Sequence, residues 1–231
     1  AVHSLKDMPT ETPVGLQVTA VTERDDPRDA LVSRFGRLAE LPSGSIIGTS
    51  SIRRRLQLAY HRPDLKIVNI RGNVDTRLEK LSRGDFDGII LAAAALVRLG
   101  WQDKISDYLP LEHFLPAPGQ GVLAVETRSN DDETIRYVSP VNYLPSWQSI
   151  TAERAFLKAL GGGCRTPIAA FGTVNGDVLR LQGMVAATDG KRMLYASEEG
   201  IAKFAEDVGL SLADKLLAMG ASDFVTGVGN K

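Results

Sequence analysis

Cysteine is almost missing from this sequence: Cys164 is the single one in 231 residues. That excludes an internal disulfide and a cysteine-based zinc site, so no metal is expected, and it suits a reducing compartment. Long apolar runs are also lacking. The most apolar stretch, FDGIILAAAALVRLG (86–100), carries Asp87 and Arg98 and falls short of the ~18 apolar residues a membrane span needs, so no membrane partner is expected. The opening residues AVHSLKDMP read as strand and loop, not as a secretory leader. Aromatics are few (6%) and scattered, and neither a Walker loop nor a GxGxxG sequence occurs, which argues against a nucleotide site. Repeats and low-complexity segments are absent. What remains is ordinary globular composition, 43% hydrophobic and 24% charged, at a length that allows one large or two to three small domains.

Net charge is −1, from 27 Lys and Arg against 28 Asp and Glu, which does not suit a general nucleic-acid coat. The charge is unevenly placed. Between Thr49 and Arg83 stand nine basic and three acidic residues, so this window is +6 and the rest of the chain −7. A basic island in an acidic protein predicts a local anion site.

Residues 45–99 alternate between two periods. SIIG (45–48), LKIVNI (65–70) and FDGIILA (86–92) read as strands; Ser51–Tyr60, a segment capped by Asn73 and running to about Ser82, and AAALVRL read as helices. This order predicts a doubly wound parallel sheet, whose ligands sit beyond the carboxyl ends of the strands. Two such ends are GTSSIRRR and RGNVDTR, each with arginines beside a helix N-terminus, where unpaired N–H groups also favour anions. The strand LQVTAVTER, preceded by a loop VHSLKDMP, and the segment PAPGQGVLAVE lie on either side of this unit, as when a chain leaves one domain, builds a second and returns. From about Leu144 a small α+β module is expected: a helix ITAERAFLKAL with core positions Ile150, Phe156, Leu157 and Leu160, three antiparallel strands, and a helix over about 201–219.

Three places could carry chemistry. Cys164 follows three glycines; a lone cysteine usually packs as a small apolar residue, but Gly161–Gly163 leave room for something large to approach, and Arg165 would favour the thiolate. Asp7 stands beside Lys6 near His3 and Ser4, either as a solvated turn or as a proton carrier and cation stabiliser. Arg53, Arg54 and Arg55 spread over about 200° of a helix, so two are expected to face the crevice and one the solvent. Arg71 and Arg77 occupy the start of the next helix, and such a cluster of planar guanidinium groups fits a ligand with several carboxylates, phosphate being nearly as good.

AVHSLKDMP, GTSSIRRRLQL, IRGNVDTRLEKL, PAPGQGVLAVE and AERAFLKALGGGCRTPI, in this order, closely resemble the hydroxymethylbilane synthase (porphobilinogen deaminase) family, over essentially the whole chain. The resemblance implies a cytoplasmic, monomeric transferase of tetrapyrrole biosynthesis. Its first two domains are α/β, of type II periplasmic-binding-protein kind (1–24 with 116–140, and 25–115); the third is a small α+β domain (141–231). It implies that Cys164 bears a dipyrromethane cofactor by a thioether, that four porphobilinogen molecules are condensed head to tail with loss of ammonia, and that hydrolysis frees 1-hydroxymethylbilane. Asp7 matches the family's catalytic aspartate. Ser4, Lys6, Thr49, Ser51, Arg53, Arg54, Arg71, Arg77, Gln120 and Gly121 match its cofactor and substrate ligands. Family members have a long portion before the VHSLKD segment, so the first domain is expected to be incomplete here, the chain a fragment, and activity a property of the longer protein. Two rivals would leave features unused: a non-catalytic anion-binding protein gives GGGC no role, and a nucleic-acid binder calls for clustered aromatics.

Overall fold

The computed structural model describes residues 1–162 and 166–225. The chain opens with β1 (Val2–Ser4), a 3-10 turn over Leu5–Asp7, and β2 (Leu16–Val21). It crosses over to build β3 (Asp29–Ser33), β4 (Ile46–Gly48), α1 (Ile52–His61), β5 (Lys66–Val68), α2 (Val74–Ser82), β6 (Gly88–Ala92), α3 (Ala93–Arg98) and β7 (Asp107–Tyr108). It returns through β8 (Leu123–Arg128) and α4 (Asp132–Val138). The last part holds α5 (Leu144–Ala159), β9 (Ile168–Asn175), β10 (Val178–Ala186), β11 (Met193–Ile201), α6 (Ala205–Ala218) and α7 (Ser222–Val225).

Three sheets result. The middle one has the order β5-β4-β6-β3-β7 and is mixed rather than parallel throughout: β4, β5 and β6 are parallel, while β3 pairs antiparallel with both β6 and β7. The sequence pattern hides these two strands for a physical reason. In β3 the residues Asp29–Val32 are all buried and show no alternation, and β7 is only two residues long. Ser51 and Asn73 cap α1 and α2, each side chain accepting the N–H of the residue three further on.

In the first sheet β8 runs antiparallel between β1 and β2. The expected VHSLKDMP loop is in part strand, because Val2–Ser4 pairs with Leu123–Val125. Leu5, 2% exposed, then sinks into the core with Val21, Val122, Ala124 and Ile150 and anchors the turn that carries Lys6 and Asp7. The third sheet, β11-β10-β9, packs under α5 and α6, with Phe156, Leu179, Leu181, Leu212 and Leu216 at its centre. Gly209 lets the two helices touch; a Cβ there would lie 2.3 Å from the Ala152 carbonyl oxygen. Helix α5 begins at Leu144, earlier than the sequence pattern indicates, because Pro145 is well tolerated in a first turn.

Candidate active site

A cleft of about 720 Å³, within the usual range of ligand sites, opens where the three parts of the chain meet. Its walls come from the Leu5–Asp7 turn, the N-terminal turns of α1 and α2, the end of β6, the returning loop at Ala117–Gln120, and α5 with the start of β9. Lys6, Arg53, Arg54, Arg77 and Arg154 line it, and among the described residues Asp7 is the single carboxylate of the lining. Leu91, Ala92, Ala95, Leu157 and Ile168 supply apolar surface between these charges.

Two of the three consecutive arginines turn inward. Arg53 and Arg54 are 4% and 8% exposed, and Arg55 faces solvent. What holds the inward pair is Asp29, fully buried at the head of β3, which sequence reasoning passed over. Arg53 Nη1 and Nη2 donate to its two oxygens at 2.7 and 3.2 Å, and Arg54 Nε and Nη2 donate to Oδ1 at 2.9 and 2.7 Å. Burial alone would raise the Asp29 pKa, but the two guanidinium groups outweigh it and hold the carboxyl far below the usual range. Arg53 Nε is buried with no hydrogen-bond partner among the described residues. Burial lowers the pKa of Arg77, and Arg54 lowers it further.

Gln120, 1% exposed, links the walls. Its Nε2 donates to Asp29 Oδ1 at 2.9 Å and to the Pro27 carbonyl at 2.7 Å, while its Oε1 accepts from Lys6 Nζ and Arg54 Nη2, both at 3.4 Å. Burial, followed by the nearby Arg54, lowers Lys6 to about 8. Asp7 is exposed on the same turn.

Ser4, Lys6, Asp7, Ser51, Arg53, Arg54, Arg77 and Gln120 thus share one cleft. Three other candidates stand outside its lining. Thr49 is buried behind it, its Oγ1 accepting from the Ser51 amide at 3.3 Å. Arg71 is exposed, and its carbonyl accepts from Lys80 Nζ at 3.0 Å. Gly121 has φ +89° and lies so close to Asp25 that a Cβ would approach the Asp25 carbonyl oxygen to 2.5 Å. Cys164 lies outside the described residues; Thr166, two positions on, lines the cleft.

A second buried carboxylate, also missed, sits at the joint. Glu153 on α5 is fully buried and accepts from Arg24 Nη2 at 2.7 Å and from the amides of Gly119 and Gly172 at 2.6 and 2.8 Å. Arg24 and Gly119 belong to the two crossing segments, and Gly172 to β9. Arg154, its neighbour, donates to the carbonyls of Pro9 and Thr10 at 2.7 and 2.8 Å and so holds the end of the Asp7 loop. The spacing AERA gives no hint that Glu153 ties Arg24, Gly119 and Gly172 together while Arg154 reaches Pro9 and Thr10.

Residues 1–136 match the family model described as "Porphobilinogen deaminase, dipyromethane cofactor binding domain", and residues 147–218 match "Porphobilinogen deaminase, C-terminal domain". Porphobilinogen deaminase of Pelotomaculum thermopropionicum is 49% identical over 97% of this chain and 72% of its own length; that of Geobacter metallireducens is 50% identical over 99% and 72%. The chain belongs to the porphobilinogen deaminase family. A solved arginine-specific periplasmic binding protein of Salmonella typhimurium is far less alike, at 14% identity and a TM-score of 0.33 over 54% of this chain and 55% of its own.

The residues present fit the porphobilinogen deaminase cofactor. A dipyrromethane carries acidic arms on each ring, and the cleft offers separated cations, a buried Arg53 donor with no acceptor among the described residues, and aliphatic patches where ring faces can lie. Among the described residues no cluster of side chains suits a metal ion, and no helix is long and apolar enough to cross a membrane.

Proposed function

We propose that this protein is a hydroxymethylbilane synthase whose chemistry takes place in the cationic cleft, with Asp7 as its catalytic group and Cys164 as the attachment point of the cofactor. Joining four porphobilinogens head to tail accumulates carboxylates with every step, and the observation that carries the reading is the gathering of Lys6, Arg53, Arg54, Arg77 and Asp7 on one cleft.

The bound dipyrromethane supplies a nucleophilic pyrrole carbon to start the chain. At each addition the aminomethyl C–N bond of porphobilinogen breaks and ammonia leaves. A C–C bond then forms at the methylene carbon, and the attacking ring carbon gives up its proton. Asp7 is the one carboxylate on the wall among the described residues, so its oxygens are suited to protonate the departing amine, to stabilise the cation left on the pyrrole, and to take the ring proton. Arg53, Arg54 and Arg77 bind the acetate and propionate arms, with Lys6 as a shorter-range partner between Gln120 and Asp7. Ser51 contributes through its cap on α1, which orients the turn bearing both inward arginines. Thr49 and Gly121 support the site from behind, and Arg71 at its edge meets the longer product.

In this reading 1–24 with 116–140, 25–115 and 141–231 form three domains around the cleft, and the enzyme works as a cytoplasmic monomer with no nucleic-acid partner. The basic window supports that view, because Arg53, Arg54 and Arg77 face the cleft instead of forming an outer patch. An aldehyde reagent for free pyrroles tests the reading. The protein exposed to porphobilinogen, denatured and washed free of unbound porphobilinogen should colour, and Cys164→Ser treated in the same way should not. Colour that survives the substitution would contradict Cys164 as the attachment point.

A further inference from the structure

We propose that Asp29 is a positioning residue for ligand binding: it holds the Arg53 guanidinium end-on, so that the Nε–Nη2 edge is offered to a carboxylate of the bound pyrrole. This rests on the functional reading above and adds a residue that touches no reacting atom.

A guanidinium has five N–H groups in a fixed plane, so the acceptors on one edge decide what the other edge can do. Asp29 takes the Nη1–Nη2 end of Arg53 with one oxygen on each nitrogen, and the Leu115 carbonyl takes the remaining Nη1 donor at 2.7 Å. The Nε–H is left, with the second Nη2–H parallel to it. Arg53 Nε is buried and without an acceptor among the described residues, a costly arrangement that a ligand carboxylate on this edge relieves with two parallel bonds. Arg54 is placed differently: its Nε–Nη2 side is used on Asp29, and its Nη1 donates to the Ile90 carbonyl at 3.2 Å. Asp29 therefore gives two neighbouring arginines unlike tasks. Gln120, bonded to both Asp29 and Lys6, carries the same registration to the Asp7 turn.

Positioning and simple charge balance predict opposite signs. Asp29 neutralises part of the positive field, so if only net charge mattered, Asp29→Asn would tighten binding of an anionic ligand. If orientation matters, the same change weakens it. In the full-length holoenzyme we expect Asp29→Asn to raise KM for porphobilinogen about tenfold, the worth of one charge-assisted hydrogen bond, with a smaller change in kcat. Intact mass should also show a lower fraction of chains loaded with the pyrrolic adduct. Asp29→Glu keeps the charge but displaces it by a methylene, and should raise KM as well. A KM that stays or falls in either folded variant overturns the proposal, even if the melting temperature drops. Should neither variant fold, Arg53→Lys keeps the charge but not the parallel donors and must raise KM comparably; an unchanged KM there overturns it too. A parent protein that neither loads a pyrrole nor consumes porphobilinogen fails the functional reading instead, and that is measured first.

Discussion

Asp29 and Glu153 are both fully buried carboxylates gripped by arginine, and their charge balances differ. Asp29 faces two guanidinium groups and leaves one positive charge in excess at the cleft wall. Glu153 faces one, Arg24, and its other partners are backbone amides from separate parts of the chain. The first cluster keeps a buried Arg53 Nε with no hydrogen-bond partner among the described residues, which the proposed ligand carboxylate would meet; Glu153 in the second has no such unmet atom there. Burial of an ion pair alone therefore says little about its role. The residual charge and the unmet donors separate a binding wall from a structural joint.

Substitutions can break or sharpen that contrast. The largest effect is expected at the cleft. Asp7→Asn should cut turnover by roughly 10²- to 10⁴-fold while retaining the attached cofactor and the melting temperature, because Asp7 is exposed and the task proposed for it is proton transfer. Equal loss of cofactor and turnover would count against a catalytic role. Glu153→Gln should act on the other cluster, costing about 3 kcal/mol by leaving Arg24 poorly compensated, and lowering the melting temperature by roughly 6–12 °C. An unchanged melt would remove Glu153 from the joint.

A smaller effect concerns pH. Lys6, lowered to about 8, is mostly cationic near pH 7 and mostly neutral near about pH 9, so KM for an anionic substrate should rise severalfold as pH rises through this interval. Lys6→Arg keeps its charge and should flatten the rise; an identical pH profile would show that Lys6 does not titrate there. The smallest effect is expected at Arg55, the exposed sibling of the inward pair. Arg55→Ala should change KM less than about twofold, as for an ordinary surface site, and a large change would mean that all three arginines reach the ligand.

Much of this arrangement is legible in the sequence, and the rest is hidden for definite reasons. The capping residue Asn73, the strands around it and the splitting of Arg53–Arg55 into two inward and one outward follow from local rules of helix geometry. Leu5 is different: it orients Lys6 and Asp7 only because a distant core, including Val122 and Ile150, takes it in. Asp29 and Glu153 are harder still. Each sits among other charged residues, in RDDPRDA and AERA, and only the three-dimensional crossing of segments shows which carboxylate turns inward. Long-range partners such as Asp29 with Gln120, or Glu153 with Gly119, leave no periodic trace.

Intact mass after brief exposure to limiting porphobilinogen tests most directly whether a covalent anchor holds acidic pyrroles against these guanidinium groups. The expected result is a ladder of species that survives denaturation, spaced by one porphobilinogen less one ammonia, and that is lost in Cys164→Ser. A single bare mass at every substrate ratio, or increments that wash away on denaturation, would contradict it.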